Sequence, residues 1–301
     1  MTTSTTGGAT VADERLSYEQ TPSALTRYRL GSGARTLLTL PVLFLTVAVA
    51  LPMGYVLWLA LFGEGESTVG SVVGDPLFRE ALWRTVVMAV LVTVLCVVLG
   101  LVYALAVTLA PRPVKVVLGL AIGATFVISL MVRTYGWVLL LQPRGIVFDA
   151  LSAVGLVDGP LAVLQTPSAM YLGMVHVMLP YSILLTSTSL AALDGNLVKA
   201  ARSMGASARL TFFRVVLPQI AAGVTAGGLL VFMISLGFYI TPAFLGGPSQ
   251  LTMGTLIGKQ MSGTFDFKAA AIMGSLLFLA VTVLYVLAER IFKITDQWER
   301  R

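Results

Sequence analysis

Six apolar runs, each near or above the ~20 residues a helix needs to cross a bilayer, constrain this chain more than anything else in it. They lie at about 37–62, 84–110, 114–141, 168–191, 217–245 and 269–292. In hydrocarbon every backbone N–H and C=O must be satisfied within the segment, so runs of this kind cross as helices. The expected fold is an all-α membrane protein with six transmembrane helices. With 57% of the residues hydrophobic and 11% charged, no water-soluble domain fits.

The flanks are different. Residues 1–35 are rich in Thr, Ser and Gly and read as a disordered or interfacial cytoplasmic tail. Within them, 23–30 suit a short interfacial helix with Arg27 and Arg29 facing headgroups. Residues 36–292 form the membrane domain, and 293–301 a cytoplasmic tail. The first apolar run starts too far from Met1 for a signal peptide. No repeat of 20–50 residues is visible.

Basic residues orient the bundle. With the N-terminus in the cytoplasm, fourteen Lys and Arg fall inside, among them Arg35, Arg112, Lys115, Lys199, Arg202 and Arg290. Five fall outside: Arg79, Arg84, Arg144, Lys259 and Lys268. The excess places both termini inside. The same bias argues against nucleic acid as a partner, because the cations sit at span ends rather than in one patch.

Catalytic sets are missing from the sequence. His176, the single histidine, lies inside the fourth run without Cys, Asp or Glu at ligand spacing. It reads as a helix–helix hydrogen-bond partner. Cys96, the single cysteine, lies in an apolar run and reads as a small buried hydrophobe. No phosphate-binding G-x-x-x-x-G-K-[S/T] occurs; Gly258-Lys259 is followed by Gln260. No cofactor is expected in this chain, and ATP-driven work needs another subunit.

One cytoplasmic stretch, Leu197 to Pro218, carries Lys199, Arg202, Arg209 and Arg214 between apolar spans. As one helix it puts Lys199, Arg202, Ala206 and Arg209 on one face and Ala200, Met204 and Ala208 on another. Ala200, Ala201 and Gly205 leave room for a partner to approach. Gly205 favours a left-handed cap, so the helix is expected to end over 205–208, with Ser207 starting a new turn. Pro218 suits the first turn of the next span.

This stretch resembles the loop that marks inner-membrane permease subunits of binding-protein-dependent ABC importers: Glu-Ala-Ala, three residues, Gly, nine residues, Ile-x-Leu-Pro. Ala200, Ala201, Gly205, Val215, Leu217 and Pro218 match it. Lys199 stands where the pattern has Glu. The resemblance implies that Lys199, Ala200, Ala201, Gly205, Ala206, Leu217 and Pro218, within a coupling loop over 192–216, dock on an ATPase. A basic loop lying on anionic lipid remains the alternative.

The resemblance extends over about 80–290. R-T-Y-G-W at 133–137, L-P-Y at 179–181 and S-L-G-F-Y-I-T-P-A-F-L-G-G at 235–247 resemble the spermidine/putrescine subgroup. It implies the type I importer fold, a second permease subunit (a paralogue), two ATPase copies holding ATP and Mg, and an extracytoplasmic binding protein. The membrane implied is the bacterial inner membrane. Relatives import opines, phosphonates or other small organic solutes, so those remain alternative cargoes.

Pathway candidates are Arg133, Tyr135, Trp137, Tyr181, Ser235, Tyr239 and Thr241. A charge within a span is costly, which makes Arg133 a functional candidate. Equally, it can snorkel from a helix end belted by Tyr135 and Trp137. Gly237, Pro242, Gly246 and Gly247 are expected to break the outer end of the fifth span. That break lines a cavity or lets helices pack. The spans hold essentially no carboxylates away from their ends, so a polycation needs aromatic faces, carbonyls or a partner's acids. An autonomous carrier would need membrane carboxylates and a repeat. An intramembrane enzyme would need a nucleophile and base.

Overall fold

The computed structural model describes residues 32–292, with side chains over 39–290. The interfacial helix expected at 23–30, the rest of the N-terminal tail up to residue 31 and the C-terminal tail lie outside the described residues, while 32–35, expected in the tail, are helical. All regular structure among the described residues is helical. The chain divides into two units, Met1–Tyr55 and Val56–Arg301.

In the first unit, α1 runs from Ser32 to Phe62, crossing the unit boundary in its last two turns. Its interior prolines, Pro41 and Pro52, do not end it; its apolar side chains are exposed over 39–55, and Ala60 near its end is buried.

The second unit holds the rest. α2 (Val69–Gly74) leads into α3 (Pro76–Leu109), whose start is fixed by Asp75. The Asp75 carboxylate accepts from the Leu77 amide at 2.9 Å, and Pro76 fits the first turn because its missing N–H would have no partner there. α3 therefore begins eight residues before the expected span, carrying Arg79, Glu80 and Arg84 on its first turns.

The third run is not one helix. α4 (Arg112–Val127) and α5 (Leu130–Leu140) meet at a bend of 104°. Sixteen residues of α4 rise only about 24 Å, short of the ~30 Å hydrocarbon layer. α6 (Ile146–Ala153) follows. α7 (Pro167–Ala191) is capped by Thr166 and retains Pro180.

After α7 come α8 (Gly195–Ser203), α9 (Ala208–Thr211), a π-helical turn over Phe212–Val216, and α10 (Leu217–Leu236). The fifth span is thus continuous from Ala208 to Leu236, not from 217. Pro218 explains the π turn. It has no N–H for the Arg214 carbonyl and its ring would press on that carbonyl, so the helix widens there. Gln219 Nε2 donates to the neighbouring Val215 carbonyl at 3.1 Å.

α10 stops at Gly237 and α11 (Ile240–Leu245) stops at Gly246, as the glycines predict. α12 (Met253–Ser262) and α13 (Phe267–Phe292) complete the chain. Among the described residues five helices are long and apolar enough to span a membrane, and the bent α4–α5 pair, taken as one span, makes a sixth.

The centre is α3, α7 and α10, packed through Met88, Val92, Cys96, Met174, Met178 and Val231. They approach closely because small residues face one another: a Cβ on Gly223 would overlap Ser189 Oγ. Cys96 is free and fully buried. A second cluster joins α12 and α13 to Val72, Phe78 and Ala81.

Candidate functional site

Two ends of the bundle hold the residues singled out above. At one end, the broken helices α5 and α11 pack on each other and on α7. Thr134 Oγ1 and Thr241 Oγ1 meet at 3.3 Å in a fully buried contact. Trp137 Nε1 donates to His176 Nδ1 at 3.0 Å, with the rings edge to face. That bond needs an unprotonated Nδ1, so the ring proton sits on Nε2. His176 is thus the interhelical partner expected of it.

Arg133 lies close enough to His176 to act on it electrostatically. It is half-buried, and its Nε is buried without a hydrogen-bond acceptor. α11 reaches α7 because Gly173 makes room; a Cβ there would overlap Leu245 Cδ1 and come within 2.9 Å of Thr241 Cγ2.

The expected pathway set does not converge on one point. Arg133, Trp137 and Thr241 gather around α5, α7 and α11. Tyr181 instead stacks edge-on against Phe126 of α4, at 5.7 Å. Tyr239 lies against Gly258 of α12, and Ser235 is fully buried with an unpartnered hydroxyl. Tyr135 is exposed. Thr134, Phe126 and Gly258 belong to these clusters and are not among the sequence candidates, because a lone Thr, Phe or Gly carries no pattern of its own.

At the other end, Asp194 caps α8, its carboxylate accepting from the Asn196 amide at 2.9 Å. Gly205 closes the helix with φ +83°, in the left-handed region that glycine adopts without a Cβ clash. The Ala206 amide returns to the Ala201 carbonyl at 3.1 Å and the Gly205 amide to Arg202 at 2.9 Å, the two bonds of a Schellman turn. Ser207 then caps α9 by accepting from Leu210 at 3.3 Å.

This turn corrects the expected single face. Lys199 and Arg202 share α8, but Ala206 lies past the turn and Arg209 is on α9. Ala201 is buried rather than open to a partner, and Leu217 packs towards Ala104, Leu190 and Ile220. Lys199, Ala200, Gly205 and Pro218 are exposed, and Met204 at the tip is 81% exposed.

Among the described residues no group of His, Cys, Asp and Glu is placed to hold a metal ion.

Five candidate spans with a bent pair as a sixth, a break after Leu236, and a capped helix-turn between the fourth and fifth spans fit an importer permease subunit. The comparisons with known proteins agree. The chain belongs to the family of binding-protein-dependent transport system inner membrane components, whose model matches residues 115–301. It is 30% identical over 230 residues to the spermidine/putrescine transport system permease protein PotB of Salmonella typhimurium (strain SL1344), covering 74% of this chain and 80% of that protein. With PotB of Escherichia coli (strain K12) it is 32% identical over 197 residues, 65% of this chain and 72% of the relative. A bacterial ABC transporter involved in the import of the acidic polysaccharide alginate shares the fold, with TM-score 0.67 at 16% identity over 86% of this chain and 94% of that one. The protein is a multi-pass inner-membrane permease subunit of an ABC importer.

Proposed function

We propose that this subunit, over 36–292, forms half of an ATP-driven pathway for a small organic solute, with a polyamine such as spermidine or putrescine as cargo. An extracytoplasmic binding protein delivers the solute, and a second permease subunit, a paralogue, supplies the other wall. Two ATPase copies hold ATP and Mg, and one of them docks on the loop at 192–216. The excess of basic residues at that end puts it in the cytoplasm. The observation that carries this reading is the α8 turn, which is capped at both ends, projects an exposed Met204, and leads through Ser207 into the fifth span, continuous from Ala208. A push on α8 is transmitted to α10, which lies in the central packing. ATP binding then selects one of two bundle states.

Support for a polyamine comes from the relatives' names and from aromatic faces at Tyr181, Phe126 and Tyr239, which attract ammonium groups. A zwitterionic or anionic solute is the second reading, favoured by the unpartnered Nε of Arg133. One experiment separates the two. The reconstituted complex is given binding protein loaded with spermidine, putrescine or an anionic solute, and ATP hydrolysis is measured. Polyamine stimulation is expected. Stimulation by the anionic solute alone supports the second reading, and uptake without any ATPase subunit removes both.

A further inference from the structure

Residues 195–216 contain Lys199, Arg202, Arg209 and Arg214 and no carboxylate. Lys199, Arg202, Arg209 and Arg214 are all exposed, and none takes part in an ion pair among the described residues. The neighbouring acid, Asp194, is engaged in capping α8. Lys199 and Arg202 stand one turn apart on α8, beside exposed Leu197 and below the exposed tip Met204. The surface carries two exposed apolar groups, Leu197 and Met204, together with two exposed cations on α8 and two more on the elements that follow.

Its form fits a cleft better than a lipid plane. α8 is only nine residues long, and both of its ends are pinned by local caps. Its most exposed apolar group is at the turn, not along its side, whereas a helix lying on lipid buries a lateral stripe.

We propose that the ATPase surface receiving α8 has an acidic rim, with carboxylates opposite Lys199 and Arg202 around an apolar floor for Met204. This rests on the docking reading above and adds to it the charge of the partner. Rim charges of this kind act on encounter and on partner choice. An ATPase with a basic rim would be rejected.

The test uses the complete complex, both permease subunits and the ATPase, in neutral detergent. ATPase binding is titrated at roughly 0.05 and 1 M NaCl, where the Debye length falls from well above 8 Å to about 3 Å. Native chain is compared with the double variants Lys199→Glu/Arg202→Glu and Lys199→Gln/Arg202→Gln; both positions are exposed, and monodispersity confirms the fold. Charge reversal is expected to weaken binding about tenfold or more at low salt. The neutral pair should lose less, and the differences should collapse at high salt. An ATPase whose rim carboxylates are changed to Lys should recover the reversed variant.

Undiminished low-salt binding by the reversed variant overturns the acidic rim while leaving the docking intact. So does a reversed variant that keeps the ATPase and loses only its attraction to vesicles containing phosphatidylglycerol. If binding also survives Met204→Asp together with Gly205→Val, the docking reading itself falls.

Discussion

The two ends of this bundle are held by opposite kinds of bond. At the outward end the contacts are long-range. Thr134 meets Thr241, Trp137 meets His176, the Met253 amide donates to Thr85 Oγ1 at 2.8 Å, and Ser67 Oγ donates to Asp266 Oδ2 at 2.7 Å. Arg84 reaches the Ser249 carbonyl and pairs with Glu80. At the cytoplasmic end, α8 and α9 are shaped by bonds spanning two to five residues: Asp194 to Asn196, Ser207 to Leu210, Ala206 to Ala201. Local bonds make a rigid knob that needs no neighbour, leaving its surface free for a partner. Long-range bonds make an end whose shape depends on helices staying together. In the two-state mechanism proposed above, movement breaks or slides the outward contacts while the knob moves as a body.

Two substitutions break this contrast most strongly. Gly205→Val places a β-branched residue at φ +83°, where a Cβ costs about 1–2 kcal/mol. The knob should reshape while the spans insert normally. ATP hydrolysis coupled to loaded binding protein is expected to fall about tenfold or more, with membrane insertion unchanged; native coupling would show that the turn's geometry is dispensable. Gly173→Leu acts on the other end by forcing α11 off α7. The expected loss is about 1–3 kcal/mol or more of bundle stability, read as a lower unfolding temperature in detergent. A variant as stable as the native chain would mean that α11 is not anchored on α7.

The same contrast explains what was legible in the sequence. Local bonds leave local marks: Gly205 with Ser207 two residues on and Gly237 at the end of α10 each predict an end that the structure shows, whereas the start of α3 at Asp75–Pro76 lies ahead of the apolar run expected from 84. Reading 199–209 as one face failed only because the helix was continued past its own glycine. The break at Ile128–Ser129 is different. Both residues are extended, with ψ 127° and 140°, yet neither Pro nor Gly stands there. The partners of α5, Thr241 and His176, are distant in the chain, so no window around 128 contains the cause. The pathway set scattered for the same reason: Tyr181 and Tyr239 are placed by Phe126 and Gly258, which belong to other helices.

The outward contacts can be weakened one at a time. Trp137→Phe keeps the ring and removes the N–H, leaving His176 Nδ1 without its donor. Interhelical bonds of this kind contribute about 1 kcal/mol. The expected result is a small fall in unfolding temperature, with His176→Phe adding little in the double variant because both remove one interaction. Additive losses would show that the two side chains act separately.

Asp266→Asn is the mildest probe. The Ala269 amide first, and then the Ser67 hydroxyl, hold the Asp266 carboxyl below the usual carboxylate range. It caps α13 by accepting from Ala269 at 2.8 Å, while Lys268 Nζ donates to the Gly65 carbonyl at 3.1 Å and fastens the same two loops. Because its folded pKa is depressed, the stabilisation from its charge is complete above the ordinary carboxylate pKa of ~3.9 and is lost as pH falls through the lower folded value. Asp266→Asn keeps a capping oxygen and removes the charge, and is expected to cost about 0.3–1 kcal/mol at neutral pH, the range for a partly solvated carboxylate at a helix N-terminus. The difference from the native chain should shrink as pH drops below ~4. A difference that stays constant into acid would assign the loss to packing rather than charge. The tie between the first and last outward loops would then depend on Lys268 and Gly65 instead.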